Sequence, residues 1–360
     1  MLAEDPCRDL PDPSRTAKNA VTGKELGLYD ETYPAMTSDE RLRMAIDASI
    51  FKMHCGEGLI SEEGEYSDSI FDSLVLDSNG LRCRHTETSF EYGVEVTVQD
   101  ADGNRFSSYW WDATPMLKDL NIKDCGEIAF KRAMSQIGPV KIESGKYSMV
   151  IESEVASRLV TPVLNALGGY SLQQKNSFML DSLGKKMFPE WLNIWDRPVS
   201  VGETGSRLFD SEGVATAEMI VENGVVKEYF VNTYMSRKMG VEATVEDATR
   251  PVVLPCFAPS VAEPVEATCG KDELMRIVGE GILVTGFNGG NSNSATGDFS
   301  FGVEGFLFKD GKIVHPVREM LITGNLLTLW NNLLAAGNDA RFCKSKLIPT
   351  LAFGNVDFSA

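Results

Sequence analysis

Apolar residues recur at helical spacing in several parts of the chain. This spacing predicts helices in four segments, 37–54, 124–136, 153–167 and 324–337. Thr37 and Glu40 form a capping-box pattern at the start of the first helix, and Asp124 is the expected N-cap of the second. One face of the first helix, which its apolar residues predict to be buried, consists of Leu42, Ala45, Ile46, Ser49, Ile50 and Met53.

Alternating apolar and polar residues predict strands between these helices. Four strand-like runs occur in the first half of the chain, at 73–76, 81–85, 91–99 and 105–111. Two type I′ turn signals predict hairpins in the second half, Asn223-Gly224 within 217–233 and Asp310-Gly311 within 302–314. The segment 244–273 is rich in Pro and Ala and has few helix signals, so it is predicted to be a long loop.

The order of these elements predicts an α+β fold with two domains. Residues 26–139 are expected to form a smaller central domain of strands and two helices, which ends at Gly138-Pro139. Residues 140–360 are expected to form a larger C-terminal domain with an extensive, mostly antiparallel sheet. The proline-rich residues 1–25 are predicted to be irregular.

The charge of the chain limits which partners are expected. It contains 34 Lys and Arg against 52 Asp and Glu, a formal net charge of −18. Such a surface repels phosphate backbones and anionic membranes, so direct binding to nucleic acid or to a membrane is not expected. The seven cysteines form no CxxC pair, and the N-terminus shows no export signal. The sequence therefore predicts a cytoplasmic protein with reduced thiols.

The segment 144–189 has the clearest pattern in the chain. An apolar run, Tyr147–Ile151, predicts a strand that leads into a helix. Ser153 is the expected N-cap of that helix, and Glu154 is expected at the positive end of the helix dipole. Pro162 is expected to kink or limit the helix, and the following Gly-Gly pair is expected to end it.

This segment and four later motifs resemble the TldD/PmbA family of peptide-maturation or DNA-gyrase-modulator proteins, and within it the PmbA (TldE) branch. The four motifs are FDSEGV at 209–214, TGDFS at 296–300, PVREMLITGNL at 316–326 and GND at 337–339. The resemblance begins near Glu4, continues to the C-terminus and keeps the family's order of motifs. Family members carry a βαβ-type region before this point, which implies that residues 1–25 are the remnant of an N-terminal region.

The resemblance also locates a zinc motif that this chain has lost. The TldD branch carries HExxxH and a ligand cysteine near the C-terminus, whereas this chain reads SEVASR. Ser153 and Arg158 occupy the histidine positions, Glu154 the glutamate position and Cys343 the cysteine position. A serine hydroxyl is a poor zinc ligand and a guanidinium cannot bind a cation, so we expect no metal, no cofactor and no catalytic residue here.

Other metal sites have weak support in the sequence. The three histidines are His54, His85 and His315. Cys83 and His85 would point to the same face of a strand, but two ligands are fewer than zinc needs. The loop 100–104 resembles the start of a calcium loop, yet Trp111 stands where the bidentate glutamate should be.

Small and acidic residues cluster before two of the predicted hairpins. The first cluster consists of Asp210, Glu212 and Gly213, and the second of Thr296, Gly297, Asp298 and Ser300. Two interpretations stay open: the residues line a peptide-binding cleft, or they serve tight turns. The resemblance favours the cleft, because it implies a family that handles peptides.

The resemblance implies a PmbA/TldE-like, non-catalytic subunit of a two-component zinc metallopeptidase system that acts in peptide maturation or proteolysis. The partner would be a zinc-bearing, TldD-like subunit, and the substrate a peptide. The alternative is a homodimeric peptide- or ligand-binding protein without peptidase activity. Regulation of DNA gyrase is a weaker hypothesis, because it rests on the family's name alone.

Overall fold

The structure is a computed structural model that describes residues 4–47, 58–216, 219–261 and 269–360. These residues form seven α-helices, α1 (Ser38–Asp47), α2 (Cys125–Ser135), α3 (Ser157–Ala166), α4 (Gly169–Gln173), α5 (Thr233–Met239), α6 (Lys271–Val278) and α7 (Leu326–Asn331). They also form fourteen strands, β1 (Leu59–Leu76), β2 (Arg82–Gln99), β3 (Arg105–Thr114), β4 (Gly145–Ile151), β5 (Ile194–Asp196), β6 (Met219–Glu222), β7 (Val225–Val226), β8 (Pro251–Val253), β9 (Cys256–Phe257), β10 (Gly281–Ser292), β11 (Asp298–Lys309), β12 (Lys312–Asn325), β13 (Leu333–Ala336) and β14 (Leu351–Ser359). No described helix is both long and apolar enough to cross a membrane.

The central domain is a three-stranded antiparallel sheet with helix α2 on one face. Its strand order is β1-β2-β3. Because side chains alternate along a strand, every second residue of β2 is buried on the α2 side: Phe90, Tyr92, Val94, Val96 and Val98. The runs predicted at 81–85 and 91–99 are one continuous strand, and β1 extends far beyond 73–76. The N-terminal part of β1 is rich in Glu and Ser, which weakens its strand signal.

The C-terminal domain is built on a seven-stranded sheet of order β12-β11-β10-β4-β14-β13-β9, in which β12 also pairs with β14. Strands β10 and β4 are parallel, and the other pairs are antiparallel. Helix α3 buries its apolar stripe in the core of this domain, where the Trp330 indole donates to the Leu159 carbonyl at 3.3 Å. This arrangement confirms the predicted α+β fold with a smaller central domain and a larger, mostly antiparallel C-terminal sheet.

The N-terminal segment 4–32 contains no helix and no extended strand, which agrees with the irregular structure predicted up to residue 25. It connects the two domains through backbone hydrogen bonds. The N–H of Arg84 in β2 donates to the Ala20 carbonyl at 2.8 Å, and the Ala17 N–H donates to Gly213 of the C-terminal domain at 2.9 Å. A second sheet of the C-terminal domain, of order β7-β6-β5-β8, lies beyond α4 in the chain.

Helix α1 begins where the sequence predicts, but its predicted buried face is wrong. The Thr37 N–H donates to the Glu40 carboxylate at 2.7 Å, which confirms the capping box. Leu42 and Ile46 are 59% and 60% exposed. The Arg41 guanidinium instead forms a two-point ion pair with Asp68 of β1, so a charged contact joins the helix to the sheet. Residues 48–54 of the predicted helix, with Ile50 and Met53, lie outside the described residues.

The two predicted type I′ turns are confirmed. Asn223 and Gly224 have φ values of 48° and 76°, and Asp310 and Gly311 have 51° and 70°, as this turn requires. The second hairpin, β11–β12, is longer than predicted. The first is shorter, because β7 ends at Val226.

Two predictions failed where the type of secondary structure changes along the chain. The segment 324–337 is helical only in α7, and its residues 333–336 form strand β13 against β14. A short apolar run fits a helix and a buried strand equally well, and here the pairing with β14 decides. The predicted loop 244–273 contains β8, β9 and the start of α6.

Candidate functional site

The lost zinc motif, 153–158, begins in a turn between β4 and α3, and only its last two residues lie in the helix. Helix α3 begins at Ser157, so Ser153 is not its N-cap. Residues 153–156 form a turn in which the Glu152 carbonyl accepts from the N–H groups of Val155 and Ala156. The Ser153 N–H donates to Thr350 Oγ1 at 3.2 Å, which places this turn against the strand partner of β4. Farther along, Pro162 lies inside α3, which continues to Ala166 and ends before the Gly-Gly pair as predicted.

Glu154 is buried, and hydrogen-bond donors surround its carboxylate. We call Glu154 and its three donors, Trp111, Arg341 and Lys344, the Glu154 cage. Glu154 Oε1 accepts from the Trp111 indole at 2.9 Å and lies 3.0 Å from Lys344 Nζ. Its Oε2 lies 2.6 Å from Arg341 Nη1. Lys344 also donates to the Glu154 carbonyl at 2.6 Å, and Arg341 donates to the Trp111 carbonyl. The cage therefore joins β3 of the central domain to the C-terminal domain.

The electrostatics of the cage favour an ionised glutamate. Burial alone would raise the pKa of Glu154, but the charges and hydrogen bonds of Lys344 and Arg341 hold it below the ordinary value. The Arg341 guanidinium also lies 4.2 Å from the centre of the Trp110 ring and 5.1 Å from that of Trp111. Both carboxylate oxygens of Glu154 are thus engaged by cations of the protein itself.

The remaining motif positions do not fit zinc. Arg158 is exposed, donates to the Gly290 carbonyl at 2.8 Å and lies over the Phe301 ring. Cys343 is half-buried, and burial raises the pKa of its thiol, which disfavours the thiolate that a metal requires. In the part of the chain that the structure describes, no three His, Cys, Asp or Glu side chains converge as metal ligands. A zinc ion does not fit this donor set.

The other weak metal candidates have structural partners. His85 is buried, with Nε2 3.1 Å from Glu87, and the Cys83 thiol donates to the Ala17 carbonyl. His315 is half-buried beside the Pro316 carbonyl, and His54 lies outside the described residues. In the loop 100–104, one Asp100 oxygen accepts two backbone N–H groups and the other accepts the Asn104 side chain.

The first predicted peptide-binding cluster stabilises a turn. Asp210 accepts the backbone N–H groups of Glu212, Val214 and Glu246, and burial raises the pKa of its carboxyl. Glu212 Oε2 accepts both the N–H and the hydroxyl of Thr233. Gly213 has a φ of 78°, and a side chain there would lie 2.5 Å from Leu81.

The second cluster lies at the start of β11 and has different partners. Asp298 is exposed and accepts from Thr296 Oγ1 at 2.7 Å and from Asn325 Nδ2 at 3.0 Å, and these bonds lower the pKa of its carboxyl. Gly297 is buried against Phe178, and Ser300 is an exposed strand residue. The hydrogen bonds described for the two clusters share no residue. Their assignment to one peptide cleft stays a prediction.

Sequence reasoning missed the side chains that complete the site. Trp111, Arg341 and Lys344 are far from Glu154 in the chain, and no local pattern connects them to it. The same holds for Arg132 and Lys271, which pair with the buried Glu152 two residues earlier. The available signal was the pair Arg341 and Lys344 on either side of Cys343, which places two cations beside the position of the ligand cysteine.

Known proteins resemble the chain over nearly its whole length. The PmbA/TldA metallopeptidase central domain matches residues 26–137, and the PmbA/TldA metallopeptidase C-terminal domain matches residues 144–360. The chain is 28% identical over 358 residues to the protein named metalloprotease PmbA of Escherichia coli O157:H7, covering 96% of this chain and 76% of that protein. It is 31% identical over 319 residues to a metalloprotease PmbA homolog of Haemophilus influenzae, covering 88% of this chain and 64% of that protein.

Solved structures show the same fold. A Bacteroides thetaiotaomicron protein named for modulation of DNA gyrase matches all of this chain and 79% of its own, with a TM-score of 0.92 and 40% identity. TldE of Thermococcus kodakarensis matches with a TM-score of 0.80 at 18% identity, which supports the fold alone. The domain matches cover most of the sequence and include the segment with SEVASR. The chain belongs to the TldD/PmbA metallopeptidase family.

Proposed function

We propose that this chain is the non-catalytic, PmbA/TldE-like subunit of a two-component metallopeptidase whose zinc is held by a TldD-like partner. The Glu154 cage carries this proposal. In a zinc motif the glutamate serves as general base beside a metal-bound water. Here Arg341 and Lys344 occupy both carboxylate oxygens, so the glutamate stabilises the domain junction instead.

The cage also supports a subunit that keeps the fold of the metallopeptidase but not its catalytic glutamate. A carboxylate held ionised by two cations is a weak base, because proton uptake would break both ion pairs. Such a subunit would act by assembly, completing a peptide path with a partner that keeps the histidines. The relative named as a metalloprotease supports a role in proteolysis. The relative named for modulation of DNA gyrase suggests no other reaction for this chain.

Metal content and peptidase activity test the proposal directly. The chain purified without chelators should contain far less than one zinc per chain and should cleave no peptide alone. Cleavage of an unfolded polypeptide should appear only after a TldD-like subunit is added. About one zinc per chain, lost in Cys343→Ala but kept in the matched control Cys7→Ala, would contradict the proposal.

The assembly state tests the subunit role separately. Light scattering after size exclusion should show a dimer at micromolar concentration, with a TldD-like partner or with a second copy of this chain. An apolar, extensive interface is typical of such obligate pairs. A homodimer that binds peptides but does not bind the TldD-like subunit would favour the alternative function. A monomer under both conditions would overturn the subunit role.

A further inference from the structure

A cavity of 540 Å³ lies between the two domains, beside the buried Glu152. Five apolar side chains form part of its wall, Trp110, Ile128, Leu283, Phe306 and Ile313. Trp110 and Ile128 come from the central domain, and the other three come from β10, β11 and β12. This volume, this position between domains and a largely apolar wall are typical of small-ligand sites in proteins.

The polar end of the cavity carries more hydrogen-bond donors than its buried acceptor uses. Glu152 is 6% exposed and lies 2.9 Å from Lys271 Nζ and 2.9 Å from Arg132 Nη1. One carboxylate thus serves two cations. An ammonium has three N–H donors and a guanidinium has five, and the described contacts of Lys271 and Arg132 with Glu152 use only some of them.

A second carboxylate, Glu304, lies on the cavity wall and affects which ligand charge the cavity can accept. Glu304 forms no ion pair in the described part of the chain, and it lies against the backbone of Gly286. The side chain of Lys271 is 39% exposed, so its ammonium can reach a ligand without losing Glu152. An anionic group therefore has spare donors at the Lys271 end, whereas a cationic group would have Glu304 and the buried Glu152 Oε2, which accepts no hydrogen bond from the described residues.

We propose that this cavity binds an apolar group next to a free carboxylate, with the carboxylate at Lys271 and Arg132 and the apolar group against Trp110, Ile128 and Phe306. Such chemistry is found at the C-terminal residue of a peptide and in a small branched carboxylic acid. Oxyanions form charge-assisted hydrogen bonds with Lys and Arg, and the apolar wall contributes by removing hydrocarbon from water. No residue of the Glu154 cage lines this cavity, although Trp110 contacts both, and the proposal does not depend on the proposed subunit role.

Binding of matched acids and amides to this chain alone tests the proposal. The probes are 4-methylpentanoate and its amide, and acetyl-Ala-Ala-Leu with a free or an amidated C-terminus. Titration calorimetry up to about ten millimolar should show binding of an acid, with its amide at least about tenfold weaker because a charged hydrogen bond is lost. The acid that binds more tightly identifies the source of the ligand. Equal binding of acid and amide, or no binding of any probe, would overturn the proposal.

Four variants locate the site, and cooperative melting transitions show that they fold. Lys271→Met should weaken acid binding about tenfold while Arg132 still pairs with Glu152, and Ile128→Trp should abolish binding by filling the cavity. The matched control Lys186→Met removes an exposed ion pair with Glu190 and should change nothing. Glu304→Gln should leave or strengthen acid binding, since it removes a repulsive charge. Acid binding that is insensitive to both Lys271→Met and Ile128→Trp, or that is lost in Glu304→Gln, would overturn the proposal.

Discussion

Glu152 and Glu154 are two residues apart and have similar partners, yet their surroundings differ. Each carboxylate is buried, each meets one Lys and one Arg, and each is joined to the central domain. Glu154 also lines a cavity, of 470 Å³, but it accepts from the Trp111 indole, and its two cations are only 17% and 16% exposed. At Glu152 a 540 Å³ cavity lies alongside, and Lys271 is 39% exposed.

This difference separates a structural ion pair from a site that can still bind. Asp112 lies 3.9 Å from Arg341, so two carboxylates balance two cations around Glu154. Around Glu152 one carboxylate pairs with two cations, and Glu304, on the wall of the same cavity, forms no ion pair in the described part of the chain. A group whose cations are mostly buried and balanced, here called closed, stabilises the junction. A group with an exposed ammonium and spare donors, here called open, can accept a ligand.

Glu154→Gln should have the largest effect. It leaves Arg341 and Lys344 buried without their carboxylate, and breaking a buried ion pair in this way costs about 3–5 kcal/mol. Glu152→Gln should cost less, about 1–3 kcal/mol, because the cavity lets water reach Lys271. Urea unfolding of both variants measures the two free energies of unfolding. Equal losses would remove the distinction between a closed and an open group.

Lys344→Met should cost about 1.5–3 kcal/mol, since it removes charged hydrogen bonds to the carboxylate and to the carbonyl of Glu154. The matched change Lys271→Met removes a more exposed ammonium and should cost less than about 1 kcal/mol. Thermal and urea unfolding under identical salt conditions compare the pair. A larger loss for Lys271→Met would reverse the contrast.

Trp111→Phe should cost about 1 kcal/mol, because the ring volume is largely kept but the N–H donor to Glu154 is lost. Trp110→Phe serves as the control, since its described contacts are ring contacts with Arg132 and Arg341. Its loss should be smaller. If Trp110→Phe is the more damaging change, ring contacts rather than the indole hydrogen bond hold the junction.

The fold was predictable where local chemistry decides the structure. The Thr37–Glu40 capping box and the Asn223-Gly224 and Asp310-Gly311 turns need only neighbouring residues, and all three are confirmed. Strand β13 was missed because Leu333–Ala336 becomes a strand through pairing with β14, which no local period reveals. The exposed face of α1 was missed for the same reason, since a contact with Asp68 of β1 orients that helix.

The site was predictable in one respect only. The letters SEVASR show that the residues at the histidine positions cannot bind zinc. They do not show what stabilises Glu154 in its place, because Trp111, Arg341 and Lys344 come from distant segments of both domains. Likewise, the sequence left open whether Asp210 lines a cleft or serves a turn, because it does not show the three backbone N–H groups that the carboxylate accepts.

The pH dependence of the cage is the smallest effect expected. The pKa of Glu154 is lower in the folded chain than the ordinary value of about 4.3, so the folded state binds fewer protons than the unfolded state in this range. The stabilising contribution is therefore complete above the ordinary pKa and is lost as the pH falls through the folded pKa. We expect the stability difference between the native chain and Glu154→Gln to be constant near neutral pH and to shrink below about pH 4. Because many carboxylates titrate there, only this difference isolates Glu154, and Asp102→Asn, which changes an exposed carboxylate in the loop 100–104, corrects for general acid effects. A difference that grows on acidification would mean that folding raises the pKa of Glu154 instead of lowering it, and the cage would then not be the closed, balanced group that distinguishes it from Glu152.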